Sequence, residues 1–224
     1  MRCLVWLMMV WFAICPARPA GAGAWMRDEG TGFLSTGAIL RQGDPQAARE
    51  FSLYGDYGLS PRLTLGVDVN QRPGVSGHAL LFARLPLNAP EARSKFALET
   101  ALGGHHWMGD WSPMYRVTFS AGRGFTTRKG AHGWIALDAS YERRLGDTDP
   151  AYKLDGTIGL SGPARLRPIL QIETAYSPGQ PVFWTVTPGL LIEGGHNRTW
   201  HLGLERKSAS RDTLGLKLGL WLRF

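Results

Sequence analysis

The chain has 224 residues, 44% hydrophobic and 19% charged, with 29 glycines, 9 tryptophans and a formal charge of +7. That aromatic content excludes a disordered chain, and confinement of both cysteines, Cys3 and Cys15, to the amino terminus excludes a disulfide scaffold. No stretch reaches the roughly 18 apolar residues of a spanning helix.

The first element is a targeting segment. Met1-Arg2 precedes an apolar run from Cys3 to Cys15, and Pro16, Pro19 and small residues lead to the triplet Ala22-Gly23-Ala24. A short positive start, a short apolar core and an A-x-A triplet make a secretory signal peptide. It is predicted to span residues 1–24 and to be cut before Trp25. Removing it removes both cysteines, so the exported chain has no thiol nucleophile, disulfide or cysteine metal ligand. Residues 25–224 are predicted to form one domain.

From about Gly32 onward, short runs of period 2 recur every 15 to 20 residues between Gly, Pro, Asp and Asn. This repeated alternation predicts antiparallel strands and no helices. A first strand near Phe33 to Leu40 has undecided faces. Next, Phe51, Leu53 and Tyr57 oppose Ser52, Tyr54 and Asp56, and Leu63, Leu65, Val67 and Val69 oppose Thr64, Gly66, Asp68 and Asn70. Leu81, Ala83 and Leu85 oppose Phe82 and Arg84; Phe96, Leu98 and Leu102 oppose Ala97 and Glu99; Tyr115, Val117 and Phe119 oppose Arg116, Thr118 and Ser120. In the second half, Ile135, Leu137, Ala139 and Tyr141 oppose Ala136, Asp138, Ser140 and Glu142. Tyr152, Leu154, Ile158 and Leu160 oppose Lys153, Asp155 and Thr157. Leu170, Ile172, Thr174 and Tyr176 oppose Gln171, Glu173 and Ala175. Trp184, Val186, Pro188, Leu190 and Ile192 oppose Thr185, Thr187, Leu191 and Glu193. Trp200, Leu202 and Leu204 oppose His201, Gly203 and Glu205. Last, Leu214, Leu216, Leu218, Leu220, Leu222 and Phe224 oppose Gly215, Lys217, Gly219, Trp221 and Arg223.

The count is twelve. On these faces every Asp, Glu, Lys and Arg within a strand falls on the polar side, interleaved with glycines such as Gly66, Gly122, Gly159 and Gly203. A soluble sandwich would turn its polar faces to solvent, where Lys and Glu are plentiful. Small residues among single charges fit an enclosed lumen, with lipid outside. The expected fold is all-β, a closed antiparallel up-and-down transmembrane barrel. Tyr57, Tyr115, Tyr141, Tyr152, Tyr176, Trp184 and Trp200 flank the apolar bands as interfacial girdles.

The last ten residues carry a resemblance. Leu216, Leu218, Leu220, Leu222 and the terminal Phe224 resemble the carboxy-terminal β-signal of bacterial outer-membrane proteins. The resemblance implies an outer-membrane barrel of the Gram-negative type, assembled by the barrel-assembly machinery. It implies no activity.

With an even strand count both ends face the periplasm, which places outer loops near 41–49, 70–77, 104–113, 143–151, 177–181 and 207–213. The most unusual of these, Gly104-His105-His106-Trp107-Met108-Gly109-Asp110-Trp111, offers two histidines and a carboxylate. The expected arrangement there is an aromatic loop at the lipid headgroups with its histidines in solvent, and no metal site. His201 and Glu205 share a face, with Ser208 and Ser210 following. However, about 13 Å of strand separates them, too far for a serine–histidine–acid relay.

The expected lumen charges are the acids Asp68, Glu99, Asp138, Asp155, Glu173, Glu193 and Glu205, joined by Asp56 and Glu142, and the bases Arg116, Lys153, Lys217 and Arg223, joined by Arg84. Most remaining Arg and Lys, including Arg123, Arg143 and Arg144, are assigned to loops and turns. There they would meet anionic lipid and lipopolysaccharide phosphates. No motif calls for a cofactor or a nucleic acid. Three functions fit: a narrow passive channel or uptake protein for small solutes, a structural barrel with a salt-bridged lumen, and a lipid-modifying hydrolase.

Overall fold

Alternation at period 2 leaves each strand with one lipophilic and one polar face, and the only way to hide all the ladder amides is to close the sheet on itself. The computed structural model, which describes residues 23–42, 49–146, 149–195, 197–208 and 214–224, shows this closure. Twelve strands form one antiparallel barrel in which each pairs with its sequence neighbours and β1 pairs with β12. They are β1 (Gly32–Arg41), β2 (Arg49–Ser60), β3 (Leu63–Arg72), β4 (Ser76–Pro86), β5 (Ser94–Trp107), β6 (Asp110–Thr126), β7 (His132–Arg144), β8 (Ala151–Ser161), β9 (Leu166–Tyr176), β10 (Phe183–Gly195), β11 (Arg198–Lys207) and β12 (Leu214–Arg223).

The faces follow the sequence. Leu81, Leu102, Leu137, Leu154, Leu202 and Leu218 are exposed on the outer wall, while Glu99, Ser120, Glu142, Thr199 and His201 are buried inside. The undecided first strand resolves through its register. Phe33, Ser35 and Gly37 face inward opposite Asp56, Tyr54 and Ser52, and Leu34 and Leu40 face out. Four tyrosines from successive strands, Tyr115, Tyr141, Tyr152 and Tyr176, form a continuous outer row with ring centroids 6.2, 5.6 and 6.4 Å apart.

Two sequence expectations are corrected. Residues 104–113 are not a loop: β5 and β6 run through them and turn on Met108-Gly109 alone, both at positive φ (53° and 99°). A two-residue turn with both central residues left-handed is the type I′ hairpin, whose twist matches that of its strands. Arg123, Arg143 and Arg144 likewise lie in strands β6 and β7. With Arg49, Arg198 and Arg206, the residues Arg123 and Arg143 fall on the outward parity. The rule that strand charges all point inward therefore fails, and it fails only for arginines within the first or last few residues of a strand.

The lumen is filled by large side chains seated on glycines. Phe82 covers Gly66, the Trp134 ring would stand 3.0–3.1 Å from a β-carbon on Gly159, and Trp25 and Ala24 occupy the space over Gly122. Near the end of the barrel that carries both termini, Trp134, Ala136, Ile169 and Leu191 form a buried apolar layer completed by Trp25 and Trp221.

Residues 23–31 enter this terminal end from below. Trp25 meets Trp134 edge-on at 6.4 Å, and Arg27 pairs with Asp56 at 2.5 Å while lying over Phe33. Gly30 donates to Gly58 O, and Gly58 donates to Thr31 O, each at 3.0 Å. The tail's carbonyls at Arg27 and Asp28 run so close to Gly58 that no β-carbon fits there.

Leu137→Arg, on the outward face near the middle of β7, is expected to cost about 2–4 kcal/mol, whereas Thr157→Arg beside the internal cavity should be far milder. Refolding into lipid vesicles with urea titration measures the difference, and equal costs would invert the face assignment. Gly159→Arg, unlike Thr157→Arg, should be poorly tolerated because Trp134 already fills its place.

Candidate functional site: a braced lumen with two cavities

The inward charges of β2 to β8 form one connected grid. Arg84, buried with its side chain 3% exposed, reaches Asp56 at 3.3 Å and Glu99 at 2.6 Å. Arg116 continues the row to Asp68 at 2.7 Å, Glu99 at 3.4 Å and Glu142 at 3.8 Å. Glu142 has no solvent exposure and also meets Lys153 at 2.7 Å and Arg144 at 3.4 Å. Register explains the grid: Arg84 faces Glu99 and Arg116 faces Glu142 directly across adjacent strands, within reach of long side chains. Tyr54 closes its lower edge, accepting from Arg84 at 2.6 Å and donating to Asp56 at 3.1 Å.

A second cluster lies toward the opposite end. Arg41 joins Glu50 at 2.5 Å and Glu205 at 2.7 Å. Arg72 and Lys207 also reach Glu50, and Lys207 reaches Glu205. Glu50, Arg41, Arg72 and Lys207 were not singled out in the sequence. All four sit at strand ends beside the connections, where alternation is too short to assign a face.

The remaining expected lumen residues divide by height. Glu193 pairs with Arg167 at 2.8 Å near the terminal end, where Arg223 also faces inward by its register with Phe33. Glu173 lies exposed near the opposite mouth. Asp138 and Asp155 face each other across β7 and β8, outside the grid. Asp155 accepts the Thr174 amide at 3.0 Å, and the Thr174 hydroxyl donates to Leu154 O at 2.7 Å, so side chains replace a stretch of β8–β9 ladder. Lys217 crosses the lumen from β12 to donate to Gln171 on β9 at 2.9 Å.

These side chains border a central cavity of about 340 Å³, lined by Tyr54, Arg84, Arg116, Asp138, Asp155, Lys217, Trp134 and Trp221 among others. Below it, at the terminal end, lies a vestibule of about 630 Å³ lined by residues 24–29 and by Lys95, Arg167, Arg223 and Phe224. Gly23 borders the upper cavity and Ala24 to Glu29 border the lower, so the amino-terminal tail is the partition between them.

The histidines are placed differently from expectation. His105 and His106 are both buried, at 8% exposure, on opposite faces of β5. His106 faces outward against Trp111 at 4.8 Å and bonds Gln71 at 2.7 Å. His105 faces inward opposite Ser112, and its strand partner on the other side is His78, 3.5 Å from Asp68. His201 lies against Trp221 and over Gly189 and Gly203. Glu205 is held by Arg41 rather than by His201, and among the described residues no three acids and histidines converge as metal ligands.

At the end of the chain, Phe224 is exposed on the outward parity of β12 and packs over Gly32, the first residue of β1. Its amide and carbonyl exchange hydrogen bonds with Gly32, so it makes the last pair of the closing seam.

No family model matches the chain and no curated protein matches it. Among solved structures it is similar to the KdgM porin (TM-score 0.60, 14% identity, covering 86% of this chain and 99% of that one). It is also similar to the NanC porin (0.55, 10%, 84% and 98%) and to the outer membrane protein Omp33 of Acinetobacter baumannii (0.52, 13%, 91% and 100%). The likeness is one of fold, and these neighbours are outer-membrane β-barrel proteins.

Arg84→Met strips the cation shared by Asp56 and Glu99 and leaves both carboxylates buried. We expect a loss of about 3 kcal/mol, read as a lower urea midpoint in refolding. A change below about 1 kcal/mol would show that the grid does not brace the wall.

Proposed function

We propose that the chain is a narrow passive channel of the outer membrane for small solutes, with the end bearing both termini in the periplasm. The observation that carries this reading is the central cavity. It is bordered by Asp138, Asp155 and Lys217, polar groups that lie outside the ion-pair grid, and the tail, together with the apolar layer it completes, separates it from the terminal vestibule. Structural likeness to porins over nearly their whole length supports it. One KdgM structure is described as a complex with disordered oligogalacturonate. The cavity lining carries three cations, Arg84, Arg116 and Lys217, against three carboxylates, Glu99, Asp138 and Asp155, so it offers no excess positive charge to so acidic a ligand, and small neutral solutes fit it better.

The proposal includes the surroundings. Arg49, Arg143 and Arg206 at one rim and Arg123 and Arg198 at the other point outward, where lipid and lipopolysaccharide phosphates would meet them. Leu216 to Phe224 serve as the address for the barrel-assembly machinery. A second reading, a structural barrel with a sealed lumen, draws on the apolar layer of Trp25, Trp134, Ile169, Leu191 and Trp221.

Planar-bilayer recording separates the two. Refolded protein should give small conductance steps. A chain lacking residues up to Asp28 should give steps several-fold larger, because the two cavities join. Absence of steps from both chains would establish the sealed barrel instead. Deletion of Phe224 should leave export intact while the protein accumulates unfolded in the periplasm, read as loss of heat-modifiable gel mobility. Arg223→Gln should insert normally. Wild-type insertion of the deletion would remove the assembly-signal role.

A further inference from the structure

Among the described residues, Asp138 is the lumen acid with a shielded carboxylate oxygen that no hydrogen bond satisfies. It projects from the middle of β7, and its Oδ1 is buried with no hydrogen-bond partner among the described residues. Its neighbours on the β6 side are Ser120, directly opposite, and Gly122 next along the strand. The cations of that wall, Arg84 and Arg116, are engaged by Asp56, Glu99, Asp68 and Glu142. Asp138 is half-buried at the edge of the central cavity, and a carboxylate oxygen shielded from water is stabilised by a positive group placed against it.

What does lie there is the tail. A β-carbon built on Gly23 would stand 2.7 Å from Ser120 Oγ and 2.8 Å from Asp138 Oδ1. The backbone of Gly23 therefore lies close against both groups, and a larger residue would have to displace their side-chain oxygens. Ala24 is 2% exposed and covers Gly122 together with Trp25. Gly23 and Ala24 are thus as well seated as Trp25, and a cut before Trp25 would discard two fitted residues and uncover Asp138. The sequence contains a second A-x-A triplet two residues earlier, Ala20-Gly21-Ala22, which satisfies the same small-residue requirement.

We propose that the exported chain begins at Gly23 and that its new amino-terminal ammonium is the counter-ion of Asp138, pinning the tail inside the lumen. In this step water hydrolyses the amide between Ala22 and Gly23. The acyl side leaves as a carboxylate on the released peptide, and the nitrogen of Gly23 takes up protons to become an ammonium. That nitrogen is bonded to the same α-carbon whose open position faces Asp138 and Ser120. A turn of the terminal residue brings it within hydrogen-bond reach of both, as a charge-assisted pair. Processing also makes the placement topologically simple. A free end slips into the terminal mouth of a closed barrel and needs no threading through it. The tail's remaining contacts, Trp25 on Trp134 and Arg27 on Asp56, then orient it, while the ammonium fixes its depth.

The test is independent of conductance. Intact mass and amino-terminal sequencing of protein extracted from the outer membrane should give Gly23 as first residue. Trp25, or any other start, overturns the proposal. In the folded barrel the α-amine should resist an amine-reactive label at neutral pH, and Asp138→Asn should speed its labelling by about tenfold or more, the weight of one charge-assisted hydrogen bond. An unchanged rate in a barrel of normal heat-modifiable mobility overturns the pairing. Should Asp138→Asn fail to fold, the wild-type chain refolded with an acetylated Gly23 replaces it. Acetylation removes the charge and leaves every strand intact, so the tail should become cleavable by trypsin at Arg27. Continued resistance there would equally overturn the proposal.

Discussion

A closed sheet satisfies every ladder amide within itself, and here the last row of partners comes from nine residue pairs between β1 and β12. Closure fixes nearly everything else about the molecule. It forbids an edge, so the strand count must suit the tilt and the register must return to itself around the ring. It assigns each side chain to the outer wall or to the lumen with no third choice. It also encloses a volume that the inward half of twelve short strands has to fill or leave to water. Outside, the requirement is easily met by leucines, valines and aromatics. Inside lies the physical difficulty, because the inward positions carry charges that lipid would reject.

The lumen meets that difficulty by crossing charges over the strands. Each long cation on the β3 to β6 wall touches carboxylates from two or three strands, and Glu142 gathers three cations around one buried carboxylate. Such a grid is a poor source of net stability, since desolvation offsets most of the attraction. It is nevertheless unforgiving of a slipped register, because a one-residue shift would send every member to the lipid face. The aromatic residues do the space filling. They lie over glycines, so one large ring occupies the place that two medium side chains would need. Where neither ring nor ion pair reaches, between Asp138, Asp155 and Lys217, the central cavity remains.

Most of this was legible in the sequence, and the failures share a cause. Period 2 located all twelve strands and placed Asp68, Glu99, Arg116, Asp138, Lys153, Asp155, Glu205 and Lys217 on the inward parity, because one residue type per face repeated over eight or more positions leaves little ambiguity. The pattern ran out wherever strands ended. Gly104-His105-His106, with Gly103 before it, looked like the start of a loop at 104 because glycines and histidines carry no alternation. The structure shows why the glycine is there: a β-carbon on Gly103 would collide with the backbone of Ala79. Arg123 and Arg143 looked like loop residues because an outward charge contradicts a lipid face, yet at a strand end an arginine reaches past the apolar band. The Glu50 and Arg41 cluster was hidden for the same reason. It joins residues 9 and 22 positions apart on neighbouring strands to Glu205, 164 positions from Arg41, a proximity that closure creates.

The tail was beyond any periodic reading, since it has none, and its docking depends on closure more than any strand does. Its β-type contacts are made to Gly58 at the foot of β2, while β1 begins at Gly32, the residue that Phe224 covers and pairs with. The segment 23–31 and the carboxy-terminal residue therefore bind two sides of the same corner. Until Phe224 closes the seam, Gly32 has no partner on that side and the entry angle of the tail is undefined. Once it closes, Thr31 and Gly30 are set in register with Gly58, and the chain beyond them has one direction to run, upward past Thr64 and Asp56 toward Gly122. The same closure that satisfies the sheet thus aims the amino terminus into the lumen, and the unpaired carboxylate oxygen of Asp138 lies where it arrives.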